Sequence, residues 1–293
     1  MLLLTGATGQ VGSALLDRLL AEGTPVRCLV RNPRRLGRRR VRVQIALGDL
    51  ADPPSFRNAM RGVHTVVHLA ASPRDQPRGS IEELVGIATW RMVRAAERAG
   101  VERFLFCSAL SASTHSRARF LRAKALAEQA VREAGLQSVV LAPSLIYSPG
   151  DRRLTLLERL ALLPVVPVSG RARALYQPIS AGDVAGCVMG ALRTPDAAGS
   201  FELAGPQTLS HEQIVREALR ALGRPRPLVH VPTPVVARSL QLLEAAAGVH
   251  APATWDEAEL MEVSMVCARG SADAERLGVR PRAMASILRH ASA

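Results

Sequence analysis

The sequence predicts an α/β fold: a doubly wound parallel sheet with a smaller α/β lobe toward the C-terminus. Two observations predict it. Short apolar runs alternate with amphipathic stretches over residues 1–150, and the connections between them are short. The chain also begins with an apolar run at 2–4, a glycine-rich turn and an amphipathic stretch at 13–21, in the order strand, turn, helix.

The predicted elements alternate regularly up to Gly150. The strands are expected at 2–4, 25–30, 41–47, 65–69, 101–108 and 138–141. The helices are expected at 13–21, 53–61, 80–99 and 117–134, with Ser80 capping the third. After Gly150 the alternation is less regular. We expect a helix at 154–161, a loop with Pro164, Pro167 and Gly170, a helix at 181–192 and a strand at 201–203. A helix from Ser210 to Gly223 follows, and a proline-rich connector then leads to apolar helical material in the 240s.

The glycine turn carries the first functional signal, because Gly6, Gly9 and Gly12 follow one another at intervals of three. The first lets the chain turn, the second admits a phosphate close to the backbone, and the third lets the helix pack on the strand. A helix N-terminus placed there favours the pyrophosphate of a dinucleotide. The predicted cofactor-binding residues of this turn are Thr5, Gly6, Ala7, Thr8, Gly9, Gln10, Val11 and Gly12.

We expect the chain to consist of two parts, one of which carries this dinucleotide site. Residues 1–150 form the NAD(P)-binding Rossmann domain, to which residues 179–200 return. Residues 151–178 and 201–293 form the smaller lobe, which would meet the substrate or a partner.

The end of the second strand indicates which dinucleotide is bound. A carboxylate there binds the free 2′-hydroxyl of NAD, whereas an arginine pairs with the 2′-phosphate of NADP. The chain has Arg31 and Arg34 at this point and no acid between Thr24 and Leu47. We expect NADP(H) to be preferred, with NAD(H) as the alternative if Arg31 only faces solvent. Asp49 and Leu50, after the third strand, would meet the adenine.

The overall composition of the chain argues against several other classes of protein. The 293 residues carry a net charge of +13, almost all from arginine, but no nucleic-acid-binding motif accompanies the charge. No uninterrupted apolar run reaches about 18 residues, although contact with a membrane surface stays open. The four cysteines are scattered and no metal-ligand spacing is present, so we expect reduced thiols and no metal. With no room for a signal peptide before the first strand, the expected location is cytoplasmic.

Several motifs together resemble one family, the extended or atypical short-chain dehydrogenases/reductases. The matching stretches are the glycine turn at 5–12, Gly48-Asp49-Leu50, His68-Leu69-Ala70-Ala71, residues 99–104, Lys124 with Glu128, residues 143–151, residues 177–185 and residues 201–206. The atypical branch includes the NAD(P)H-binding accessory subunit of respiratory complex I and NmrA-like and isoflavone-reductase-like proteins. The resemblance assigns Leu69, Ala70, Ala71, Pro143 and Leu145 to the cofactor site.

The resemblance breaks at the catalytic residues. The family uses a tyrosine four residues before a lysine, so that both lie on one helix face, and a serine that orients the substrate oxygen. Here Lys124 is present, but Phe120 replaces the tyrosine and Ala109 falls at the serine position. Lys124 would bind the nicotinamide ribose or act as acid/base, unless it is a surface lysine that pairs with Glu128. The remaining catalytic candidates are Ser108, Ser111 and His115.

Two functions therefore stay open. One is a reductase of a carbonyl, enone or quinone that works without the standard triad. The other is a non-catalytic NADP(H)-binding regulator or an accessory subunit of a larger assembly. A sugar-nucleotide epimerase or dehydratase is a third, less favoured reading. The oligomeric state is expected to be a monomer or a homodimer that pairs through the helices at 81–100 and 117–134. The apolar residues around Val235 and Leu242 are expected to pack on the lobe's own core, with docking onto a partner as the alternative.

Overall fold

The computed structural model describes residues 1–292. Its strands are β1 Leu2–Thr5, β2 Val26–Val30, β3 Gln44–Leu47, β4 Thr65–His68, β5 Arg103–Cys107, β6 Gln137–Pro143, β7 Ile146–Tyr147, β8 Val166–Ser169, β9 Leu175–Tyr176, β10 Ile179–Ser180, β11 Gly199–Leu203, β12 Leu209–Ser210 and β13 Leu228–Val231. Its α-helices are α1 Gln10–Ala21, α2 Pro53–Arg57, α3 Ala88–Arg98, α4 Arg119–Arg132, α5 Arg152–Leu160, α6 Ala181–Arg193, α7 His211–Ala221, α8 Thr233–Ala247, α9 Trp255–Leu260, α10 Ala272–Arg276 and α11 Met284–Ser292.

A seven-stranded sheet forms the centre of the molecule, in the order β11-β6-β5-β4-β1-β2-β3. All of its neighbouring strands pair in parallel, which confirms the predicted fold class. Successive residues of β1 bury opposite faces: Leu2 and Leu4 pack with α1 and α6, whereas Leu3 packs with residues of α2 and α3. Because the strands are parallel, their carboxyl ends lie along one edge of the sheet, where ligands of such folds bind.

Two predicted boundaries differ from the structure in the first half of the chain. β3 starts at Gln44 rather than residue 41, because Pro33–Arg42 forms a 3-10 segment and leaves Val41 exposed. The third helix begins with a π-helical stretch, Glu82–Ile87, before α3. Ser80 still caps it, since its hydroxyl accepts the Glu83 N–H and the Glu83 carboxylate accepts the Ser80 N–H.

The prediction of loops in the smaller lobe was wrong at two places. The stretch with Pro164, Pro167 and Gly170 contains β8, and the proline-rich connector contains β13. The two strands pair in parallel as a separate two-stranded sheet, where proline is tolerated because each strand has a free edge. β11 belongs to the central sheet, so the returning part of the chain extends to Leu203.

Candidate functional site

The glycine turn joins β1 to α1 in the shape that a pyrophosphate needs. Gly6 has φ +71°, and a Cβ there would lie 2.7 Å from the Ala70 nitrogen. A Cβ on Gly12 would lie 2.0 Å from the Gly6 carbonyl oxygen, so the helix packs on the turn only because this residue is glycine. No side chain caps α1, whose N-cap is Gly9. The N–H groups of the first turn therefore stay available to an anion, and the cradle fits a dinucleotide.

The other residues assigned to the cofactor lie along the same edge of the sheet. Leu69, Ala70 and Ala71 follow β4, and Pro143 ends β6. Leu145, two residues later, is buried. The segment after β4 lies against the glycine turn, whereas β6 ends on the same edge of the sheet but is separated from β1 by β5 and β4.

The arginines after β2 lie where the sequence predicts the adenosine of the dinucleotide. Arg31 directly follows β2, and the side chains of Arg31 and Arg34 are exposed, with no partner within residues 1–292. Two other arginines of the segment hold it on α1: Arg39 pairs with Asp17 at 2.6 Å, and Arg42 donates to the Leu20 carbonyl oxygen at 2.7 Å. The segment is thus anchored while the side chains of Arg31 and Arg34 stay unpaired within residues 1–292.

Asp49 lies at the end of β3 with its carboxylate largely buried. One oxygen accepts the Ala51 N–H at 3.2 Å, and the other is 3.5 Å from a guanidinium nitrogen of Arg78, in the loop after β4. The half-buried Leu50 follows it. An acceptor beside an apolar side chain suits the amino group and ring of an adenine.

A chain of hydrogen bonds, which the sequence reasoning missed, fixes the floor of the site. Thr89 donates its hydroxyl hydrogen to the Val85 carbonyl oxygen, so its oxygen accepts Nε2–H of His68 at 3.1 Å. Nδ1 of His68 then accepts the Thr5 hydroxyl at 2.7 Å. Burial, and the charge of Lys124, lower the pKa of His68 to about 3, consistent with a neutral ring. His68 therefore positions Thr5, at the start of the glycine turn.

Lys124 lies on α4 with only 2% of its surface exposed. Its ammonium donates to the Cys107 carbonyl oxygen and lies 4.7 Å from the ring centre of Phe106 and 5.5 Å from that of Phe120. Burial lowers its pKa to about 8, although Cys107 and Glu128 oppose the change. The interpretation as a surface lysine is wrong, because Glu128 pairs with Arg132 instead.

The composition of the chain carries a further signal for Lys124. It is the only lysine of the chain, since the other 37 of the 38 basic Lys and Arg residues are arginine. A position that needed only a cation would be expected to carry arginine here as elsewhere. Arginine stays charged at any pH that proteins meet, whereas a buried lysine can exchange its proton near neutral pH.

The remaining catalytic candidates are held by other contacts. The buried Ser108 donates its hydroxyl to Glu128. Ser111 has φ +63° and donates to the Ser264 carbonyl oxygen at 2.8 Å. His115 is exposed on the loop before α4. The structure therefore brings Lys124 and Phe120 together, while both serine hydroxyls are committed to bonds within the protein.

An ionic clamp, also missed, ties the site to the smaller lobe. Arg119, next to Phe120, pairs with Glu82 at 2.7 Å, with Asp75 at 3.2 Å and with Asp256 of α9 at 3.2 Å. These acids raise the pKa of Arg119, and Arg119 lowers the pKa of Glu82. In the loop after β4, the buried Arg74 binds the carboxylate of Glu257. The clamp closes α9 over the N-terminus of α4.

The two tyrosines do not replace the missing one. Tyr176 is fully buried and donates to the Met261 carbonyl oxygen at 2.7 Å, so it is a packing residue. Tyr147 is buried, and its hydroxyl has no partner within the described residues. Burial raises the pKa of both phenols, which makes them weak acids.

Comparison with known proteins gives one family and several relatives. A family profile described as NAD(P)H-binding matches residues 6–195. Ceramide reductase of Caulobacter vibrioides is 28% identical, over 83% of this chain and 77% of the relative. A (4-alkanoyl-5-oxo-2,5-dihydrofuran-3-yl)methyl phosphate reductase of Streptomyces griseus is 30% identical, over 77% of this chain and 75% of the relative. Subunit 9 of the NADH dehydrogenase [ubiquinone] 1 alpha subcomplex of Rattus norvegicus is 27% identical, over 94% of this chain and 75% of the relative.

Solved structures agree on the fold. A nucleoside-diphosphate-sugar epimerase of Staphylococcus aureus has a TM-score of 0.80 at 19% identity and covers 98% of this chain and 99% of its own. An NADPH-dependent quinone oxidoreductase of Escherichia coli, solved with NADPH, has a TM-score of 0.76 at 18% identity and covers 99% of both chains.

Proposed function

Because this chain belongs to the NAD(P)H-binding family, as an atypical short-chain dehydrogenase/reductase, we propose that it is a reductase that uses NADPH and Lys124. Its substrate class would be a carbonyl, enone or quinone compound. NADPH supplies the hydride when it is bound. The chain's own residues would hold the dinucleotide at the glycine turn and deliver a proton to the substrate oxygen from Nζ of Lys124.

The observation that carries this proposal is the burial of the chain's only lysine. An ammonium whose pKa is about 8 is still protonated at pH 7, yet it releases its proton far more readily than an ordinary lysine. Phe120 keeps the aromatic wall of the site but has no ionisable oxygen, so Lys124 is the acid that remains beside it. Two of the relatives are reductases, which supports the reaction class.

The preference for NADPH rests on Arg31 and Arg34. Both are exposed directly after β2, with side chains unpaired within residues 1–292, and the nearby arginines that are paired hold the segment in place. An arginine at this position binds a 2′-phosphate with charge-assisted hydrogen bonds.

The test is NADPH oxidation across a panel of carbonyl, enone and quinone compounds. We expect turnover by the natural protein and loss of it in Lys124→Met, while Lys124→Arg keeps a cation that cannot act as the acid. NADPH binding is measured by calorimetry in each variant, so that loss of ribose contacts is separated from loss of chemistry. Full activity in Lys124→Met would remove this residue from the mechanism.

A second function is favoured by one observation: both serine hydroxyls near the site are engaged within the protein, and the tyrosine is replaced. On this reading the chain is a non-catalytic NADP(H)-binding regulator or accessory subunit, as the name of the rat relative suggests. Tight NADPH binding without turnover of any compound would favour it. Phe120→Tyr separates the two further, since a gain of activity would show that the rest of the pocket can support catalysis.

A further inference from the structure

The smaller lobe has an apolar surface that the rest of the described chain leaves uncovered. Pro167 of β8 and Val229 of β13 are register partners, and both are exposed. The loop that enters β8 adds Leu162, Leu163 and Val165, which are 68%, 48% and 39% exposed. We call these five residues the β8–β13 face. Three large exposed apolar side chains within four residues are unusual on a soluble protein and mark an interaction site.

Helix α8, which follows β13, extends this surface. None of the residues described on it is buried, so Val235 and Leu242 do not pack on the lobe's own core as expected. Val235 and Leu242 are 53% and 73% exposed, and a spacing of seven residues puts them on one side of the helix. The outer side of the helix therefore exposes two apolar side chains, with Arg238 and Ser239 between them.

The two segments that carry this face are rich in arginine. Acids reach their far ends from other elements: Glu212 of α7 lies 3.4 Å from His230 of β13, and Glu262 accepts the Thr233 hydroxyl. β8 lies within residues 159–182 and β13 within residues 218–243, and neither segment contains an aspartate or glutamate. Together they carry seven arginines: Arg159, Arg171, Arg173, Arg220, Arg224, Arg226 and Arg238. Arg226 lies beside the apolar loop, since it donates to the Ala161 carbonyl oxygen at 3.1 Å. The seven arginines of these segments favour an anionic partner for the face.

We propose that the β8–β13 face docks on an anionic lipid bilayer. Exposed leucine and valine side chains would enter the boundary between headgroups and acyl chains, while the arginines meet the negative headgroups. No helix within residues 1–292 is long and apolar enough to cross a membrane, so the attachment is peripheral. Two copies of the chain would bring arginine against arginine on this face, which disfavours self-association. The inference stands on the surface of the lobe and does not depend on the reaction.

The experiment is flotation of the full chain with vesicles of phosphatidylcholine alone or with added phosphatidylglycerol. We expect binding to the anionic vesicles only, and weakening with salt. Arg159→Gln with Arg224→Gln should reduce partitioning by about 25-fold, at about five-fold per arginine. Leu162→Ser with Leu163→Ser should reduce it by roughly ten-fold or more.

The matched control is Arg38→Gln, Arg40→Gln and Val41→Ser, which changes an equally basic and exposed segment after β2. It should leave vesicle binding unchanged. NADPH binding, measured in every variant, shows that each is folded and keeps this test separate from the proposed reaction. The proposal is overturned if the chain ignores anionic vesicles, if only the control variant loses binding, or if sedimentation shows a dimer that the leucine variant dissociates.

Discussion

Removing the buried ammonium should change how the stability of the protein depends on pH. The pKa of Lys124 is about 8 in the folded chain, against an ordinary value of 10.5. Below pH 8 both states hold the proton, and the folded state bears the full cost of burying the charge. Between pH 8 and 10.5 the folded state releases the proton while the unfolded state keeps it, so stability rises with pH.

The magnitude follows from the two pKa values. A difference of about 2.5 pKa units corresponds to about 3.5 kcal/mol at about 1.4 kcal/mol for each, most of which is gained by pH 10.5. The free energy of unfolding should therefore rise by up to about 3 kcal/mol more in the natural protein than in Lys124→Met between pH 7 and pH 10.5. Methionine occupies a similar volume and has no charge to desolvate, so the variant is expected to be the more stable protein at pH 7.

Two measurements check this. Urea unfolding of both proteins, without cofactor, at each pH gives the difference, and titrations common to both cancel. Because the chain has a single lysine, carbon-13-labelled lysine gives one side-chain resonance whose titration reports the pKa of Lys124 directly. An equal rise in both proteins, or a resonance that titrates near 10.5, would refute the assignment of a desolvated ammonium.

Three further predictions address the rest of the site. The pKa of His68 is about 3 in the folded chain and 6.5 in the unfolded chain, so the free energy of unfolding falls as the pH drops below 6.5. In urea unfolding at pH 5, the natural protein should have lost about 2 kcal/mol more than His68→Gln. Arg31→Ala should weaken NADPH binding by roughly 10- to 100-fold and NADH binding much less, and an equal loss for both in calorimetry would contradict the 2′-phosphate contact. Gly12→Ala should abolish dinucleotide binding and lower the melting temperature, because its Cβ would lie 2.0 Å from the Gly6 carbonyl oxygen; Gly182→Ala, whose Cβ has 3.7 Å of room, is the control.

Local patterns were enough to predict the central sheet. Most of its strands are buried apolar runs bounded by turns, and each signal lies within a few neighbouring residues. The sheet of β8 and β13 was missed because its evidence is not local. Each strand is four residues long, prolines interrupt the pattern, and the two partners lie some sixty residues apart in the chain. Only their pairing makes either of them a strand.

In the site, too, the features that depend on neighbouring residues could be predicted and those that depend on distant ones could not. The family motifs predicted the glycine turn, Lys124 and the presence of Phe120 in place of the tyrosine. Each of these can be identified from its position in the sequence alone. The tautomer of His68 depends on Thr5 and Thr89, which lie 63 and 21 residues away. The pair of Arg74 with Glu257 spans 183 residues. Side chains that act through partners this remote leave no pattern in the sequence around them.

The clamp also bears on the order in which the protein is made. The central sheet is complete once β11, ending at Leu203, has left the ribosome, and N-terminal parts of a chain fold first during synthesis. Asp256 and Glu257 emerge only about fifty residues later. Until then the acids at Asp75 and Glu82 are the only clamp partners of Arg119 that have been made, and the N-terminus of α4 lacks its contact with α9. The clamp is therefore among the last contacts of this edge of the sheet to form.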